Sequence, residues 1–216
     1  MDYFNDALDN ALSSKVAEKI MEHILNGDLK PGDKIVEGVY AEMFNTSRSP
    51  IREAIYLLAT EGLIERIPRK GAYVKGYTID DVQDLLDVRN HLELLAAQRI
   101  VEPHTKKTLL DEMKRILRDM DRCKDKKDYT HLNYEFHFTL LKFSESSVIE
   151  GIYSKIVLPL LRIQSIHFKN DQTISKSRED HYKIYEFLIN NQVDELVSML
   201  RKHTEDVILN VRNQVF

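Results

Sequence analysis

The chain has 216 residues, a net charge of −4 and an apolar fraction of 43%. That composition suits a globular protein with a real core and one large or two small domains. No run of about 18 apolar residues occurs, which excludes a transmembrane helix. The acidic start MDYFNDALDN lacks the charged-then-apolar pattern of a signal peptide. Cys123 is the one cysteine, so no intramolecular disulfide can form, and a reducing, cytoplasmic location is expected. The mild negative charge counts against coating nucleic acid by bulk charge. A local basic face still acts by itself, because salt screens the rest within about 10 Å.

Ser13 or Ser14 is placed to cap a first helix reaching Asn26, with the stripe Val16, Ile20 and Ile24 at helical spacing. Gly27 stops it and Pro31-Gly32 makes a turn. A short helix is predicted over 36–44, then a polar turn at 45–47, then a third helix from Ser49 with Pro50 in its first turn. Gly62 closes the third helix. Two short helices joined by such a turn read as a helix-turn-helix. The segments 63–67 and 72–75, joined by a turn at 68–71, read as a β-hairpin, and a hairpin directly after a recognition helix is a wing.

Within this frame the arginines fall at useful places. Arg48 and Arg52 lie four apart at the start of the third helix and share a face. That end of a recognition helix meets base edges in the major groove, where arginine pairs two hydrogen bonds to guanine. Ser47 and Ser49 are placed for phosphate oxygens. Arg69 and Lys70 sit at the wing tip, suited to the DNA backbone or the minor groove.

The stretch LKPGDKIVEGVYAEMFNTSRSPIREAIYLLATEGLIERIPRKGAYV resembles the winged-helix domain of the GntR regulators. The shared pattern is a leucine-x-Pro-Gly start, a Ser-Arg-x-Pro-x-Arg-Glu-Ala core, a Glu-Gly-Leu end and a basic-Gly wing. The resemblance implies that Arg48, Ser49, Arg52 and the wing Gly71 contact DNA. One departure is Gly38, which follows Glu37 where many relatives carry a basic residue.

From Thr78 onward the pattern is helical, with helices predicted over 79–101, 105–121, 128–143, 146–169, 173–190 and 192–213. Pro103 ends the first, Thr105 is placed to cap the second, and 122–127 is a charged connector. The expected architecture is mainly α. A winged helix-turn-helix of three helices plus a hairpin (10–76) precedes an all-α six-helix bundle (78–213).

Polar residues interrupt the apolar stripes of that bundle. His203 stands in the stripe Val193, Leu196, Val197, Leu200, Val207 and Val211. His181 heads Ile184, Tyr185 and Leu188, and Asn133 and His137 share a face with Phe136, Leu140 and Leu141. Buried polar groups need partners. A histidine on an apolar face is either a hydrogen-bonded core residue or a ligand, and three imidazoles with an oxygen donor suit a divalent metal, zinc or nickel above all. Arg89 and Glu93 interrupt the stripe Val82, Leu85, Leu86, Ala96 and Ile100. They read as an internal salt bridge or as a ligand-binding pair. His23, His91, His104 and His131 read as surface residues without a role.

The segments YTHLNYEFHFTLLKFS, DHYKIYEF and LRKHTEDV resemble the ligand segments of the FCD domain, the effector module of the FadR-type GntR branch. The resemblance implies a divalent metal held by His137, His181 and His203, with Asn133 where the family carries an aspartate. It also implies that Arg89 faces the cavity and binds an effector carboxylate, as its bidentate fork allows. Glu93, Arg162, His167 and Tyr185 are expected to line the same space. The function expected is a homodimeric, sequence-specific regulator, a repressor on a near-palindromic operator, modulated by a small carboxylate. The rivals are a metal-dependent enzyme and a module whose metal is purely structural.

Overall fold

The structure is a computed structural model that describes residues 11–100, 103 and 106–215. The chain divides into two compact units, Met1–Tyr77 and Thr78–Phe216.

The first unit runs α1 (Ala11–Asn26), β1 (Lys34–Ile35), α2 (Glu37–Met43), α3 (Arg48–Thr60), β2 (Ile64–Ile67) and β3 (Gly71–Val74). The α1 stripe Val16, Ile20 and Ile24 is buried, as are Ile51, Ala54, Ile55 and Leu58 of α3, and the two helices pack together. Ser13 is not the expected cap. It lies inside α1, is buried, and donates to Glu53 Oε2 of α3 at 2.6 Å. Asn45 takes a left-handed conformation (φ 47°) in the turn between α2 and α3, which a short polar side chain tolerates. Gly62 (φ 80°) reverses the chain after α3.

The hairpin gains a strand that sequence patterning left out. β1 pairs antiparallel with β3, so the sheet order is β1-β3-β2. A two-residue strand carries no periodicity, and its pairing across about forty residues is a tertiary event.

The second unit holds α4 (Ile79–Ala97), α5 (Lys107–Arg122), α6 (Lys126–Lys142), α7 (Ser147–Lys155), α8 (Val157–His167), α9 (Asp171–Ile189) and α10 (Val193–Val215). Thr78 and Asp81 form a capping box that starts α4, and Asp125 caps α6 through the Lys127 and Asp128 amides. Thr105, the expected cap of α5, lies outside the described residues. Among the described residues of this unit, seven helices stand where six were expected, because the 146–169 segment breaks at Ile156 (φ −106°, ψ 5°). Pro159 explains the break. It has no N–H to give to Lys155, and its ring would clash with that carbonyl. A core of Met113, Ile116, Leu117, Phe136, Leu140, Ile184, Leu188 and Leu200 joins α5, α6, α9 and α10. Among the described residues, no helix is long and apolar enough to cross a membrane.

Candidate nucleic-acid interface and metal centre

In the first unit the end of α3 is an open, charged surface. Ser47, Arg48, Ser49 and Arg52 are all exposed, and Pro50 and Ile51 turn inward behind them. Ser47 is the N-cap residue, yet its hydroxyl makes no capping bond. Arg52 Nε donates to Glu37 Oε2 of α2 at 3.0 Å, so a carboxylate on the neighbouring helix sets the guanidinium's direction. Tyr56 continues the same face one turn later at 60% exposure, and Arg66 of β2 lies 5.8 Å over its ring.

At the hairpin tip Arg69 adopts φ 63° and Gly71 φ 114°, and Arg69 and Lys70 are exposed. A Cβ on Gly71 would come within 3.2 Å of the Lys34 side chain, so Gly71 lets Lys34 lie beside the wing. Sequence reading missed Lys34, Glu37 and Arg66 as members of this surface. Lys34 in particular reaches it only through the β1–β3 pairing.

The second unit gathers its polar groups inward. His137 of α6, His181 of α9 and His203 of α10 are buried, and each offers a ring nitrogen within 4.8 Å of the others. The Nε2 atoms of His137 and His181 are 3.1 Å apart. Two nitrogens at ~2.1 Å from one ion, at right angles to each other, would be about 3.0 Å apart. His203 turns its Nδ1 toward Asp180 Oδ2 at 3.4 Å, which leaves Nε2 for the cluster. A carboxylate behind an imidazole is the usual support of a metal-binding histidine. Asp180 is a residue the sequence reading missed. The signal was its place directly before His181, although it serves a different helix. Asn133 lies one turn before His137, and its buried Oδ1 has no hydrogen-bond partner. The three imidazole nitrogens fit a divalent ion, and the unpartnered Asn133 oxygen, on the same α6 face as His137, is a candidate fourth donor.

Arg89 and Glu93 of α4 complete the wall. Arg89 Nε donates to Glu93 Oε1 at 2.7 Å, and a second guanidinium nitrogen faces His137 Nε2. His137 Nδ1 lies 3.0 Å from the same Glu93 oxygen, while Glu93 Oε2 is buried without a partner. Burial works against the Glu93 charge, but Arg89 and His137 outweigh it and hold the carboxyl at about 2. Burial likewise pulls Arg89 toward neutrality, and Glu93 keeps it charged. Desolvation, helped by Arg89, holds His137 down at about 3, and desolvation puts His181 well below its ordinary value. Both imidazoles are therefore neutral, the form that binds metal.

The remaining candidates divide. His167 of α8 is buried, has an unpartnered Nδ1 and is held at about 3 by desolvation. Arg162 is buried on the same helix. Tyr185 is a correction: it is half-buried against the apolar core, where burial and Asp111 of α5 raise its phenol. The reason is register. Arg178, Tyr182 and Tyr185 form one α9 face, and the first two meet Asp121 of α5. Two histidines read as surface residues are also corrected. His23 bonds Tyr40 Oη at 2.8 Å, and His131 is half-buried, with desolvation lowering its pKa. His104 lies outside the described residues.

Comparison with known proteins agrees with this division. Residues 12–74 match the bacterial regulatory proteins of the gntR family, and residues 84–206 match the FCD domain. The chain is 26% identical to the HTH-type transcriptional regulator YdhC of Bacillus subtilis, over 78% of this chain and 76% of that one. It is 30% identical to the gluconate operon transcriptional repressor of the same organism, over 66% of this chain and 59% of that one. In fold it resembles a GntR protein from Rhodococcus sp. RHA1, with a TM-score of 0.81 at 18% identity, covering 96% of this chain and 100% of that chain. These relatives are regulators, not enzymes. With the FCD match spanning more than half its length behind a gntR head, the chain belongs to the GntR family of DNA-binding transcription regulators.

Proposed function

We propose that this regulator is a homodimeric repressor of a near-palindromic operator, and that a small carboxylate bound beside a divalent metal in the second unit modulates its DNA affinity. The observation that carries the sensor half is the buried set of three imidazole nitrogens within 4.8 Å of one another, walled by Arg89 and Glu93. His137, His181, His203 and Asn133 would hold zinc or nickel, with Asp180 orienting His203. When bound, the ion supplies positive charge that attracts a carboxylate oxygen. Arg89 offers the complementary fork, and an anion between guanidinium and metal relieves the repulsion of two buried cations.

For the DNA half, Arg48 and Arg52 read bases, Ser47 and Ser49 take phosphates, and Arg69, Lys70 and Gly71 place the wing. Repression is supported by two relatives, the gluconate operon repressor and the Escherichia coli repressor RspR. A second copy is supported by the apolar side chains exposed on α4 (Val88, Leu95) and α7 (Val148, Ile152), two helices that pack together. A two-fold axis makes such a patch self-complementary. The ligand acts only by binding two arrangements of the dimer unequally.

The test combines elemental analysis with thermal shifts. Purified protein should carry about one zinc or nickel per chain, and His181→Ala and His203→Ala should each lose it. Small carboxylates should raise the melting temperature of the metal-loaded protein and change operator binding in a gel shift. Full metal occupancy in both variants overturns the ligand set. Destabilisation by chelator, with no response to any carboxylate, leaves the metal purely structural and overturns the sensor.

A further inference from the structure

A cavity of about 230 Å³ lies between the end of α8 and the facing sides of α9 and α10. Its wall includes His167, Lys176, Asp180, His203 and Asp206. Two of these also belong to the imidazole centre: His203 is one of its nitrogens, and Asp180 is the carboxylate behind it. The other two imidazoles, His137 and His181, are 0% exposed and do not line the cavity. An ion exchanging with so enclosed a centre needs a path, and His203 is where cavity and centre meet.

At the outer part of this cavity, charges are arranged in sequence. Asp206 is the outer carboxylate, with its side chain 34% exposed, and Asp180 is the inner one at 1%. Lys176 Nζ bonds Asp180 Oδ1 and lies 3.6 Å from Asp206 Oδ2. It thus holds the place where a divalent cation moving between those carboxylates would pause. The lysine is suited to leave. Its side chain is 44% exposed, it is a single charge on a flexible four-carbon stem, and its bond to the buried Asp180 can be given up when an incoming cation takes over that carboxylate.

Resting on the metal reading above, we propose that this cavity is the route by which a divalent cation enters and leaves the imidazole centre. Asp206 and Asp180 are successive carboxylate stops, and Lys176 is the resident cation that must swing aside. Lys176 is then a kinetic gate and not a ligand. It slows exchange in both directions, and Asp206 concentrates cations at the mouth.

Zinc uptake by the metal-stripped full-length protein, followed by stopped flow, and zinc release into excess chelator test this directly. Lys176→Met should speed both uptake and release about tenfold, while Lys176→Arg, which keeps a cation, stays near wild type. Asp206→Asn should slow uptake at low salt, and the difference should shrink as salt screens the mouth. Unchanged uptake in both Lys176→Met and Asp206→Asn overturns the route. So does faster uptake with correspondingly slower release in Lys176→Met, since that reports a change in field at the site and no gate. Wild-type protein that takes up no zinc or nickel overturns the metal reading and the route together, whereas bound zinc with unaltered rates overturns the route alone.

Discussion

Two arginine–glutamate pairs define the two units. Arg52 and Glu37 meet at 3.0 Å with side chains 65% and 33% exposed, whereas Arg89 and Glu93 meet at 2.7 Å with 2% and 0%. Chemically the pairs are the same, and energetically they are opposites. The outer pair is solvated, contributes about 0.2–1 kcal/mol, and can trade its carboxylate for a guanine edge at little cost. The inner pair has given up hydration on both sides, so each ion depends on the other. Under the proposed function the difference is apt: an arginine that is to read DNA needs freedom, while one that is to bind an effector carboxylate needs a counter-ion that holds its charge until the anion arrives.

The largest expected effect falls on the inner pair. Arg89→Met strands the Glu93 carboxylate and should cost about 3–5 kcal/mol of folding stability, whereas Arg89→Met with Glu93→Leu should recover most of it. Urea melts of both variants measure this. A single variant as stable as wild type would erase the contrast between the pairs.

Next is the outer arginine. Arg52→Ala should cost no more than about 1 kcal/mol of folding stability in urea melts and about 1–3 kcal/mol of discrimination between operator and random DNA. Binding isotherms on both DNAs at one fixed salt concentration read it out. Equal loss on both DNAs would make Arg52 a phosphate contact instead.

The smallest effect sharpens the cost of interior imidazoles. His167 is held at about 3 by burial, below its ordinary value near 6.5. As pH falls, the unfolded chain therefore takes up its proton first. The stability linked to this residue is full above about pH 6.5 and drains away as pH drops toward 3. Between pH 7.5 and 5.5 that loss is about 1.4 kcal/mol. Urea melts of the chelator-treated protein should show His167→Gln losing less over this interval by about that amount. Equal losses would place the wild-type ring in water.

Much of the head was legible because its information is local. The four-residue step from Arg48 to Arg52, the polar turn before them and the basic hairpin tip all lie within one short segment. Lys34 and Glu37 were not legible, because one joins the wing through strand pairing and the other reaches Arg52 from a neighbouring helix. In the bundle, each histidine showed itself by breaking an apolar stripe. The α9 face that takes Tyr185 to α5 showed only once α5 was in place, while the break before Pro159 had a signal that was present and not used.

From the amino-acid order alone came the two-part organisation, the helical periodicities, the wing and the choice of His137, His181 and His203, since each depends on spacing within one element. Tertiary packing decided which nitrogens approach one another, that Asp180 stands behind His203, and that Lys176 bridges two acids. Those are distances between helices far apart in the chain. Side-chain direction there depends on how whole helices rotate against a shared core, which no local pattern encodes.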